Sequence, residues 1–180
     1  NVTLAQVVAI IAAADASLGQ IPQNHFYALE VLRVNGSDTQ KERLYAEVLA
    51  GQRFGNALAE LGTTTAHERT THLVTAETGY RINGRKFYAT GALYAHRIPT
   101  SVVDDHGVHL LAFVRRDSEG LNVIDDWSGF GQRTTGSGSV VFDNVFVARE
   151  DVIPFQTAFE RPTPVGPLAQ ILHAAIDTGI

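Results

Sequence analysis

The residues best suited to chemistry fall in Gly79–Ala92, GYRINGRKFYATGA, and in a later run of small hydroxyl residues, Gly131–Ser139. In the first stretch Tyr88, Ala89 and Thr90 precede Gly91, so a flat ring stands beside a hydroxyl and open backbone. Such a set suits a planar ligand; an ordinary hairpin with an apolar face reads the same way. The second run lacks the Gly-Lys-Ser/Thr close of a phosphate loop. Its Gly136-x-Gly138 pair has no third glycine and runs into a strand pattern, so it is no dinucleotide fingerprint either. Its backbone amides or Ser137 could face the polar edge of a ligand, and a glycine-bearing turn before a strand is the plainer alternative. Trp127, the only tryptophan, serves equally well as a local plug or as a ligand-facing ring. Asp104-Asp105 and Asp125-Asp126 read as turn acids, because neighbours in extended chain point to opposite sides. His25 reads as a surface or capping histidine. The remaining histidines are scattered without ligand spacing, and no metal site is expected.

These residues need elements to position them. Asn83-Gly84 between Tyr80–Ile82 and Arg85–Thr90 predicts a two-residue hairpin turn, and His106-Gly107 predicts another. Further strands are expected over Phe54–Glu60, Thr71–Thr78, Thr100–Val103, Val108–Arg115 and Ser139–Val147, with an exposed polar loop over Thr63–Arg69. Three amphipathic helices precede them. The first is capped by Thr3, and the second covers Asn24–Val34 after a break at Gly19–Gln23. The third opens with the capping box of Ser37 and Gln40 and is stopped by Gly51. A last helical pattern, with Leu168, Ile171, Leu172 and Ala175 as its stripe, follows Pro162, Pro164 and Pro167. The expected class is α+β: helices, then an antiparallel barrel or sandwich, then helix. Boundaries fall at 1–52, 53–160 and 161–180. Absence of β-α-β alternation speaks against a Rossmann-type fold.

The 180 residues carry 44% hydrophobic and 18% charged side chains, as soluble globular chains do. A net charge of −5 disfavours nucleic acid or an anionic membrane as partner. The absence of cysteine excludes disulfides and thiolate chemistry. No signal peptide or membrane-length apolar run is evident, so the expected compartment is the cytoplasm. Absence of methionine, and the apolar stripe at the C-terminal end, suggest an internal piece of a longer protein.

Four stretches, in order, resemble the acyl-CoA dehydrogenase superfamily. They are Gly36–Gly51 (GSDTQKERLYAEVLAG), Phe54–Gly62 (FGNALAELG), Gly84–Ala92 (GRKFYATGA) and Phe130–Val147 (FGQRTTGSGSVVFDNVFV). Departures from the dehydrogenase pattern place the resemblance nearest the reduced-flavin monooxygenase branch. That branch includes dibenzothiophene-monooxygenase-like and sulfur-acquisition enzymes. Ala59 and Leu61 replace the Thr and Pro around Glu60, a Gly-Ser-Asp motif is missing from Gly62–Arg69, and Tyr88 stands where dehydrogenases usually place Trp.

The resemblance implies a flavin held between the β-domain and a C-terminal helical bundle. Asn56, Leu58 and Ala59 would line its pyrimidine side, and Lys86, Tyr88, Ala89 and Thr90 its ring. Thr90 would offer its hydroxyl or amide to the reactive nitrogen, and Trp127 and Ser137 would border the phosphate-bearing tail. The catalytic group is expected in the bundle, outside these residues. The implied cofactor is reduced FMN supplied by a separate flavin reductase, or FAD. The implied reaction is oxygen transfer through a flavin C4a-hydroperoxide to a small organosulfur or similar substrate, in a homodimer or homotetramer. The alternatives are an FAD-dependent acyl-CoA dehydrogenase or oxidase, and a non-catalytic oligomerisation module.

Overall fold

The computed structural model describes residues 2–62 and 68–180. Two helices, α1 (Val2–Ala14) and α2 (Ala16–Asn35), are separated only by Asp15, whose carboxylate accepts the Ser17 and Leu18 amides at 2.7 and 3.2 Å and starts α2. Thr3 therefore lies inside α1 rather than capping it. Nor does Gly19–Gln23 break the chain: Gly19 and Pro22 sit within α2. Tertiary packing overrides both local breakers. A Cβ at Gly19 would come within 2.8 Å of the Ala12 Cβ, so glycine there permits the close α1–α2 approach. Helix α3 (Asp38–Leu49) begins with the expected box, Ser37 Oγ accepting the Gln40 amide and Gln40 Oε1 accepting the Ser37 amide.

Among the described residues seven strands follow: β1 (His72–Thr75), β2 (Gly79–Lys86), β3 (Arg97–Asp104), β4 (His109–Arg115), β5 (Leu121–Ile124), β6 (Ser139–Ala148) and β7 (Val152–Pro154). They form one sheet in the order β5-β6-β2-β1-β3-β4-β7. Every neighbouring pair is antiparallel except β1 and β3, so the sheet is mixed rather than wholly antiparallel. The cause is topological. After the β1–β2 hairpin the chain crosses to the far side of β1, and residues 87–96 make that crossing.

Asn83-Gly84 is not a hairpin turn. Gly79–Lys86 runs as one strand against β6, and the pair forms a bulge where the register shifts between Ile82 and Gly84. Gly84 has φ +149°, and an added Cβ would lie 2.7 Å from the Thr71 backbone. Asn83 Oδ1 instead accepts the Asn144 amide of β6 at 2.8 Å. Long-range pairing thus captures a dipeptide that in isolation favours a turn. The His106-Gly107 turn does form: Asp104 accepts the His106 and Val108 amides, and Gly107 has φ +77°. The expected strand Phe54–Glu60 is an extended segment held by isolated bridges, Phe54 and Ala57 to β3 and Ala59 to Phe87. The loop expected over 63–69 lies largely outside the described residues.

The sheet buries Leu73, Ile82, Ile98, Val102 and Val145 on one side. On the other, Leu111, Phe113 and Ile153 meet Leu32 and Leu44 of α2 and α3. The stripe of α4 (Val165–Gly179) does find cover: Leu168, Leu172 and Ile176 pack on Val8 and Ala12 of α1, leaving Ile171 40% exposed. Among the described residues, no helix is long and apolar enough to cross a membrane.

Candidate functional site

The crossing from β2 to β3 and the segment before β6 meet at one cleft. Its walls include Arg85, Phe87, Tyr88, Trp127, Ser137 and Ser139, and it encloses about 430 Å³. Three backbone bonds assemble it: the Phe87 amide to Ala59 O at 2.9 Å, the Ala89 amide to Gly138 O at 2.9 Å, and the Gly91 amide to Thr135 O at 3.0 Å. Between these clamps Tyr88 takes a left-handed φ of +52°, a conformation that costs a bulky residue about 1–2 kcal/mol. The surrounding bonds hold it there, and the ring ends 54% exposed. Trp127 stands edge-on to it, ring centroids 6.2 Å apart at 87°. The Trp127 indole N–H donates to Gln132 O at 3.0 Å, so the ring is fixed and also lines the cleft.

Hydroxyls form the polar edge. Thr90 Oγ1 lies 2.9 Å from Ser137 Oγ, which lies 2.6 Å from Thr135 Oγ1, which donates to Gln132 O at 3.0 Å. The Thr90 amide is already committed to Tyr88 O at 2.8 Å, which leaves the hydroxyl as its polar group for a ligand. Asp126, read from sequence as a turn acid, accepts both the amide and the hydroxyl of Ser139. Those bonds hold its carboxyl below the usual range.

Asn56 and Leu58 line a separate, closed pocket with Asn24, Tyr27, Gly55 and Leu111. Asn56 Oδ1 is buried there without a hydrogen-bond partner, in a gap too tight for a ligand, so the expected contact of Asn56 and Leu58 with a bound ring is not brought about by this arrangement. Burial pushes the Tyr27 phenol up to about 12, against the pull of Arg69. His25 is half-buried rather than a surface group: its Nδ1 accepts the Phe54 amide at 3.1 Å, and burial, then Arg53, lowers its pKa.

Lys86 is 0% exposed. Its ammonium bonds Glu60 and, at 3.0 Å, Ser101 Oγ, which in turn donates to Leu58 O. Glu60 also accepts the amide and hydroxyl of Thr70 and the Thr71 amide. Burial lowers Lys86 to about 8 despite its anionic partner. Burial would raise Glu60, but the bonds from Lys86 and Thr70 outweigh it and hold the carboxyl at about 2. Lys86 therefore reaches the site by fixing the Leu58–Glu60 segment against the strand that leads into Tyr88. Ala89 is buried and contributes its backbone, whereas Ala59 is exposed. Among the described residues, no group of three or more His, Asp or Glu could hold a metal ion.

No family model matches the chain. It is 30% identical over 191 residues to dibenzothiophene monooxygenase of Rhodococcus qingshengii, covering 99% of this chain and 46% of that protein. It is 29% identical to the probable FMNH2-dependent monooxygenase SfnC of Pseudomonas putida, covering 97% and 44%. The chain thus spans about half the length of the curated relatives it matches. The crystal structure of FMN-bound TdsC from Paenibacillus sp. A11-2 superimposes with a TM-score of 0.90 at 29% identity, over 98% of this chain and 48% of that one. Butyryl-CoA dehydrogenase from Megasphaera elsdenii shares the fold, with a TM-score of 0.84 at 19% identity. The chain belongs to the dibenzothiophene monooxygenase family. The relatives above at 29–30% identity carry monooxygenase names or, for TdsC, FMN.

Proposed function

We propose that this chain forms part of a reduced-flavin monooxygenase that uses FMN and oxidises a small organosulfur or similar compound. The observation that carries it is the cleft itself. An exposed Tyr88, Trp127 set edge-on to it, and the Thr90–Ser137 hydroxyl edge stand close together beside the cleft. The residues suit a flavin: a planar ring needs apolar faces, and its heteroatom edge needs hydrogen-bonding groups.

In this scheme Tyr88 supports the ring, Thr90 and Ser137 bond its polar edge, and Ala59, whose carbonyl accepts the Phe87 amide, bounds its pyrimidine side. Trp127 and Ser137 border the phosphate-bearing tail. Lys86 and Glu60 keep the two walls in register. Bound reduced flavin supplies activation of dioxygen, and the protein's share is to orient the ring and keep water from it. A separate flavin reductase would provide the reduced cofactor, and the whole enzyme would be a homo-oligomer. The replacements at Ala59, Leu61 and Tyr88 favour this activity over an FAD-dependent acyl-CoA dehydrogenase.

Titration of the protein with FMN and FAD, each oxidised and reduced, tests the assignment. Preference for reduced FMN and oxygen-dependent oxidation of an organosulfur compound are expected. Tight FAD that bleaches with an acyl-CoA would establish the dehydrogenase instead.

A further inference from the structure

We propose that Thr135, a residue with no exposed surface, sets which redox state of the flavin the site holds, by fixing the direction of the hydroxyl chain that ends at Ser137 and Thr90. This rests on the flavin assignment above and goes beyond it to the residue that controls selectivity.

Direction follows from counting protons. Each hydroxyl has one proton and two lone pairs. Gln132 O is a carbonyl and can only accept, so the 3.0 Å contact requires Thr135 to donate to it. Thr135 then has no proton for Ser137, and the 2.6 Å contact requires Ser137 to donate to Thr135. Ser137 in turn has none for Thr90, so Thr90 donates to Ser137 across 2.9 Å in preference to Tyr88 O at 3.5 Å. All three protons are spent inside the protein. The opposite direction would exchange the 3.0 Å bond to Gln132 O for the longer 3.5 Å contact of Thr90 Oγ1 with Tyr88 O and leave two acceptors facing each other at 3.0 Å. Trp127 also donates to Gln132 O, which anchors that carbonyl as the end of the chain.

What remains for a ligand is lone pairs alone. Thr90 and Ser137 keep 7% and 6% of their surface, and Ser137 lines the cleft. The Thr90 amide is taken by Tyr88 O. An edge that only accepts prefers a partner that donates. The central ring nitrogen of an oxidised flavin is an acceptor and would meet lone pairs with a lone pair, whereas on reduction the same nitrogen carries a proton and donates. The polarity that begins at Thr135 therefore favours the reduced cofactor, and Thr135 acts as a positioning residue that touches no ligand.

The test is the ratio of dissociation constants for oxidised and reduced FMN, with the midpoint potential of bound FMN as an independent readout. The protein is expected to bind reduced FMN at least about tenfold more tightly, the scale of one hydrogen bond. Thr135→Val keeps the buried volume but frees the Ser137 proton, and should bring the ratio close to one. Thr135→Ser, which restores the hydroxyl, should restore the ratio. Thr135→Ala, which also frees the Ser137 proton, makes the same prediction should Thr135→Val fail to fold. A ratio that persists in the variants overturns the proposal and leaves the reduced-flavin assignment standing; an equal or reversed preference in the parent overturns the proposal and the reduced-flavin reading together, leaving only a flavin-binding cleft. A parent that binds neither form of FMN or FAD overturns both.

Discussion

Lys86 and Glu60 form an ion pair whose side chains are 0% and 2% exposed. Pairs so buried contribute little net stability, but removing one partner strands a charge at a cost of about 3–5 kcal/mol. Lys86→Met is expected to destabilise the protein by that amount in urea unfolding. Adding Glu60→Leu should recover most of the loss, because an apolar pair removes the stranded carboxylate. If instead the two substitutions are additive, the charges act independently. The pair also predicts an acid limb. The Glu60 carboxyl titrates at about 2 in the folded protein and at its ordinary 4.5 when unfolded. The unfolded chain therefore takes up the proton first, so the stabilisation is complete above about pH 4.5 and is lost as pH falls toward 2. Thermal unfolding between pH 6 and 2.5 should show this loss, with a shallower slope in Glu60→Gln.

At the scale of elements, Gly84 decides between the turn its neighbour favours and the bulge the sheet adopts. Gly84→Ala must hold φ +149° and place a methyl against Thr71, so a loss of about 1–3 kcal/mol is expected, read as a lower urea midpoint. The same residue shows where sequence runs out. The box that starts α3 was legible because its two bonds span three residues, and so was the His106-Gly107 turn, closed by Asp104. The Asn83-Gly84 bulge was not, since β6 lies some sixty residues away. Nor was the start of α2, where packing on Ala12 outweighs Gly19. Strands β5 and β7 are four and three residues long and hold too little pattern to be seen. In the candidate site, the types at Tyr88 and Thr90 suggested a planar ligand. Their meeting with Trp127 and Ser137 was reached through the family resemblance, and the hydroxyl chain through Thr135 exists only in tertiary structure.

Across the whole molecule, the helices are tied to the sheet by a charge network centred on Arg97, whose side chain is 4% exposed. Its guanidinium grips both Glu47 oxygens of α3 at 2.6 and 2.8 Å and donates to Phe113 O of β4. It also lies 2.9 Å from Asp151, which Arg43 of α3 reaches at 2.7 Å. Arg97 opens β3, the strand at which residues 87–96 end their crossing, so the network anchors the far end of the segment that bears Tyr88 and Thr90. A lysine keeps the charge but cannot meet a fork of two carboxylate oxygens, a carbonyl and a second carboxylate at once. Arg97→Lys should therefore cost about 1.5–3 kcal/mol, the value of a hydrogen bond to a charged group, despite unchanged net charge. Hydrogen exchange locates the effect. Faster exchange is expected at the Gly55 and His96 amides, which bond Arg97 O and Arg53 O, and little change at the β2–β6 pair on the other side of the sheet. Uniform acceleration throughout would instead mean that Arg97 contributes to global stability without holding the helices and the crossing segment together.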